Sequence, residues 1–129
     1  MKKEIIICLI VISLVIIGNI VTQNYTKQCV SNMNEKMSQL KEVLTKEEKD
    51  DEKIKEEAKE VKEEWDEMQE KLAFYIEHDE LEKVETQLFL LLGEVETKLY
   101  EDAIPEIEKC VFILQHIEDK TALNVKNIF

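Results

Sequence analysis

The chain has 129 residues and a formal charge of −12, and all 17 of its basic residues are Lys. Nucleic acid is therefore a poor partner, because phosphate recognition needs a basic face and is best served by the guanidinium fork that is missing here. With two Gly and one Pro, the chain is also too poor in turn residues for hairpins or sandwiches, while Glu, Lys, Leu and Met favour helix, so the composition predicts an all-α protein with one core.

The chain opens with a basic Met-Lys-Lys, followed by an apolar run from Ile5 to Val21. As a helix this run is about 25 Å long, close to the roughly 30 Å of a bilayer's hydrocarbon. Signal-peptide cleavage wants small side chains where this sequence has Ile16 or Ile20, so residues 1–21 read as an uncleaved signal-anchor that meets lipid through residues 5–21, with cleavage as the alternative. Cys8 has no small residues before it to make a lipoprotein site. Lys2, Lys3 and the amino terminus precede the span, while Lys27 and Lys36 follow it diluted by Glu35. The expected topology is single-pass in the cell membrane, with the N-terminus cytoplasmic and residues 22–129 extracytoplasmic.

Four helical segments follow from apolar spacing, predicting an antiparallel bundle with a short C-terminal tail. Val30, Met33, Met37, Leu40 and Leu44 step by threes and fours, with no breaker between them and the apolar run, so span and first helix form one rod. Ile54, Ala58, Val61, Trp65, Met68, Leu72 and Tyr75 continue the heptad in a second segment of otherwise nearly pure charge. That charge reads as a solvated face supported by pairs such as Asp51 to Lys55 and Glu67 to Lys71. Thr45 with Glu48 reads as a capping box for this helix. A new stripe of Leu81, Val84, Leu88, Leu91 and Val95 follows, with Asp79 as cap, Glu82 completing the box and His78 at the preceding helix's carbonyl end. Pro105 is tolerated only in a first turn, which starts the fourth helix near Glu101 or Asp102 with Ile104, Ile107, Val111 and Leu114 inward. The "LYEDAIPEIEKC" stretch has some likeness to one tetratricopeptide hairpin, but a single unit without a repeat does not make that fold.

Catalysis has little to stand on, and the expectation is that the protein is not an enzyme. Ser31 and Ser38 have no nearby His as base, and no phosphate-binding Gly loop, zinc-spaced Cys pair or paired His on one helical turn occurs. His78, Asp79 and Glu80, with His116, Glu118 and Asp119, gather at the membrane end of the bundle. They raise a metal or pH sensor as an alternative to capping and solvation. The Glu-x-x-His pattern of di-iron bundles is absent. Cys29 and Cys110 are both about eight residues from a membrane-side helix end, which sets them level as candidates for a disulfide, with two separate buried thiols as the other reading.

The runs "LFLLL" (Leu88 to Leu92) and "CVFIL" (Cys110 to Leu114) have no polar side. A turn near residue 101 would set them level, with Leu90 and Phe112 uncovered opposite their own stripes and Phe89, Leu90 and Phe112 as the expected contact. Either the tail residues Leu123, Val125, Ile128 and Phe129 fold back over this belt, or another protein covers it: a second copy or a multi-pass membrane protein held close by the anchor. Trp65, at a core heptad position, is a packing residue. The leading expectation is a membrane-anchored interaction module that binds or organises another envelope protein. Its rivals are the sensor and a self-associating rod built on the first two helices.

The anchor behind Met-Lys-Lys, the Trp in "EEWDEM", the "FYIEHDELEKVETQL" segment and the terminal "LNVKNIF" resemble a family of small single-pass bacterial membrane proteins of unknown function, found mainly in endospore-forming Gram-positive bacteria. The likeness spans nearly the whole chain. It implies a membrane-anchored helical domain working beside a multi-pass membrane protein, and it carries no activity or cofactor. The Cys29 and Cys110 pair is not part of the resembling pattern.

Overall fold

The computed structural model describes the backbone of residues 1–128 and the side chains of residues 1–123. Those residues form four helices: α1 (Lys2–Thr45), α2 (Asp51–Leu72), α3 (His78–Glu96) and α4 (Tyr100–Ile128). Turns of three to five residues (46–50, 73–77, 97–99) join them, so successive helices run antiparallel. Each helix packs on two neighbours, in the cyclic order α1, α2, α3, α4 and back to α1, which is an up-and-down bundle.

α1 is one rod of 44 residues, about 66 Å long. Its first half projects from the bundle, and none of its most apolar 18-residue window is buried. It is therefore a candidate membrane span or signal sequence, the one helix among the described residues long and apolar enough to cross a bilayer. From Thr26 onward the same helix joins the core through Val30, Met33, Met37, Leu40 and Leu44. Apart from Tyr75, every apolar residue assigned to the first three stripes is buried, because threes and fours on a 3.6-residue helix define one face.

The helix ends differ from the sequence-based assignment. Thr45 belongs to the last turn of α1, with its hydroxyl donating to the Glu42 carbonyl. Asp50 caps α2 instead, accepting from the Lys53 amide at 3.2 Å. α3 begins at His78 after Glu77, so His78 opens that helix rather than closing α2, and the Asp79 cap does not form. Tyr75 falls in the α2–α3 turn. Asp51 pairs with Lys98 at 3.0 Å rather than with Lys55. The pairs within α2 are Lys53 with Glu57, Lys59 with Glu63, and Lys62 with Asp66.

α4 carries the largest differences. It starts at Tyr100, leaving Pro105 in its second turn, and it continues to Ile128 through the residues expected to form a tail. Its buried stripe is Ala103, Ile107, Cys110, Leu114 and Ile117, one residue earlier than Ile104 and Val111, which lie half-buried at the edge of the core. A core already holding Trp65 and three Met takes small side chains on the remaining helix, since interior volume is shared among the facing positions.

Candidate interaction surface

The α3–α4 turn determines how these two helices line up. α3 ends in a Schellman arrangement: the Leu99 amide donates to the Glu94 carbonyl at 2.8 Å and the Lys98 amide to the Val95 carbonyl at 3.1 Å. Lys98 takes the left-handed position, with φ 62°, that glycine usually fills there. The turn thus centres on Lys98 rather than residue 101. Phe112 comes level with about residue 84, and Leu90 with about residue 106. Gln87 agrees with this register, its Nε2 donating to the Glu106 carbonyl at 3.4 Å and also meeting the Glu106 carboxylate.

Phe89, Leu90 and Phe112 are 78%, 48% and 75% exposed. They do not form a level belt, however. Leu90 and Phe112 are offset by about 9 Å along the bundle axis. Phe89 opens onto a groove it shares with Leu92 and with Lys62 of α2, whereas Phe112 lines a shallow groove with Gln87, Lys109 and Ile113. The surface is two apolar patches. Leu123, one of the expected covering residues, is 56% exposed and about 16 Å further along the same helix from Phe112, so it cannot fold back onto it. The side chains of Val125 and Ile128, and all of Phe129, lie outside the described residues.

Cys29 and Cys110 are buried free thiols. Lys41 of α1 pairs with Glu108 of antiparallel α4, which puts Cys29 and Cys110 about ten residues, or about 15 Å, apart along the axis. A disulfide needs Cα atoms within about 7 Å, so the pair cannot bridge. The two thiols are not level as expected because α4 runs to Ile128, which moves Cys110 away from the end of the bundle nearer the apolar run. Burial pushes the Cys110 thiol up to about 12, with Glu106 adding to the shift. Burial also raises Cys29, outweighing the contact with Tyr25.

At the end of the bundle nearer the apolar run, His78 and His116 are exposed and Glu80 is buried. Glu80 faces Lys83 at 3.5 Å and Lys120 of α4 at 3.4 Å, and Lys120 also reaches Glu77. Burial alone would raise the Glu80 carboxyl, but the two ammonium groups outweigh it and hold the group below its ordinary value. Among the described residues, no group of three or more His, Cys, Asp or Glu side chains is arranged to hold a metal ion.

Two features of the α2–α3 turn were not legible in the apolar spacing. The Tyr75 hydroxyl lies 2.7 Å from Thr26 Oγ1 and donates to the Thr22 carbonyl at 3.2 Å, tying the α2–α3 turn to α1. Phe74 beside it is 89% exposed. The expected helix ran through Tyr75, so nothing in the spacing placed Phe74 in a turn.

The family model described as a domain of unknown function (DUF4363) matches residues 20–128, from the end of the apolar run through the whole bundle. No curated protein and no solved structure matches the chain.

Proposed function

The chain belongs to the DUF4363 family, and from that premise we propose that it is a single-pass, membrane-anchored interaction module whose bundle binds or organises another envelope protein. Residues 5–21 hold it in the bilayer as an uncleaved anchor, with the N-terminus cytoplasmic and the bundle outside. The likeness to small single-pass proteins of endospore-forming Gram-positive bacteria supports that placement. The module has no catalytic role and no nucleic-acid partner.

The observation that carries the reading is the contrast between a complete core and what is left outside it. Every helix of the bundle contributes fully buried side chains, Trp65 and Met37 among them, yet Phe89 and Phe112 stand 78% and 75% exposed on α3 and α4. Rings left outside a closed core on neighbouring helices present apolar contact area to something else. With two separate patches, the contact covers either one partner reaching around α3 or two partners on neighbouring faces.

The test is cross-linking in intact membranes, comparing wild type with Phe89→Asp and Phe112→Asp at equal expression and equal helix content. Loss of a specific cross-linked species with either variant supports the surface. An unchanged pattern with both refutes it. A reporter fused to the C-terminus and found active only in the cytoplasm would refute the topology.

A further inference from the structure

We infer that the α2–α3 turn is a second membrane contact: Phe74 inserts into the lipid interface at the base of α1, so that the bundle stands on the bilayer instead of swinging free on its anchor. This rests on the reading that residues 5–21 span the membrane.

The geometry follows from one contact. Tyr75 reaches the Thr22 carbonyl and the Thr26 hydroxyl, and these residues follow the last apolar residue of the span, Val21, by one and five positions. On a helix those positions lie about 2 and 8 Å beyond the hydrocarbon edge, and the headgroup layer is itself about 5 to 8 Å deep. The turn is therefore held within that layer. Phe74 precedes Tyr75 in the same turn and leaves 89% of its surface uncovered by protein. α4 arrives at the same level: antiparallel to α1 and tied to it by the Lys41–Glu108 pair, it ends with Ile128 level with about Val21. Leu123, 56% exposed, lies a little further out.

Lipid is the occupant because it is the one apolar phase the anchor brings to this plane, and aromatic rings beside a span partition into the interface. The binding is apolar rather than electrostatic. The chain carries −12 overall, Lys120 is already engaged by Glu77 and Glu80, Lys71 lies 5.9 Å from the Tyr25 ring centre, and Lys27 is the single exposed lysine beside Thr26. Contact should therefore form on zwitterionic lipid and gain little from anionic lipid.

The experiment uses the full chain in phosphatidylcholine vesicles carrying Phe74→Trp, with Leu14→Trp as a reporter of the span and Phe89→Trp as an aqueous control. Buried Trp65 in the unmutated chain supplies the baseline. Bromine near the glycerol end of the acyl chains should quench the added Phe74→Trp emission by about twofold or more, while iodide quenches it less than Phe89→Trp. If Leu14→Trp is quenched by bromine near the chain methyls but Phe74→Trp behaves like Phe89→Trp, the anchor stands and the turn contact is overturned. If Leu14→Trp is not quenched by lipid, the span and the contact fall together.

Discussion

Trp65 offers a sharp test of the core. It is fully buried, yet its indole Nε1 has no hydrogen-bond partner among the described residues. Truncating a buried Trp to Ala costs about 3 to 5 kcal/mol, a large share of the 5 to 15 kcal/mol that typically holds a domain together. At about 4 to 8 °C of Tm per kcal/mol, Trp65→Ala should lower Tm by on the order of 12 °C or more. Trp65→Phe should behave very differently. It removes two apolar ring carbons, worth about 1.6 kcal/mol at 0.8 each, but it also removes an N–H whose unpaired burial costs about 1 to 3 kcal/mol. The two terms largely offset, and the variant should lie within about 1.5 kcal/mol of wild type. The measurement is thermal unfolding of the full chain in detergent micelles, followed by helical circular dichroism. If Trp65→Phe proves as damaging as Trp65→Ala, the indole N–H has a partner and the cancellation argument is wrong. A Trp65→Ala loss under about 1 kcal/mol would refute the core assignment itself.

Lys98 holds a left-handed conformation that costs a side chain about 1 kcal/mol, so Lys98→Gly should raise Tm whereas Lys98→Ala, which keeps the Cβ, should not. An equal response of Tm to both changes would show that the turn conformation carries no strain. Glu80 makes the fold acid-sensitive. A carboxyl held below its unfolded value near 4.5 binds fewer protons than the unfolded chain in that range, so its stabilisation is complete above that pH and is lost as pH falls through the lower folded value. Glu80→Gln should accordingly flatten the acid limb of a Tm-against-pH profile, and an unaltered limb would show that Lys83 and Lys120 do not stabilise the charge.

The apolar spacing determined most of this architecture before any coordinates. A helix face is a local property, so Val30 to Leu44, Ile54 to Leu72 and Leu81 to Val95 could be read from periods of three and four alone, and all end in the core. The continuity of α1 was legible for the same reason, since nothing between Val21 and Val30 breaks a helix. The exposure of Leu90 and Phe112 was legible too, each lying opposite the stripe of its own helix.

Tertiary structure decided the matters that depend on volume and on where chain reversals fall. In α4, Ile107 and Leu114 are buried as expected, but Ala103 and Cys110 take the places expected for Ile104 and Val111, small side chains that suit an interior crowded by Trp65 and Met, which no single-helix pattern reports. The α3–α4 reversal sits at Lys98, a residue without the glycine signature its backbone conformation normally carries, and the resulting shift of register split one expected belt into two patches. The same helix running on to Ile128 separated Cys29 from Cys110. Tyr75 was pulled out of the heptad to meet Thr22 and Thr26, a contact across 49 to 53 residues of chain that local periodicity has no means to encode.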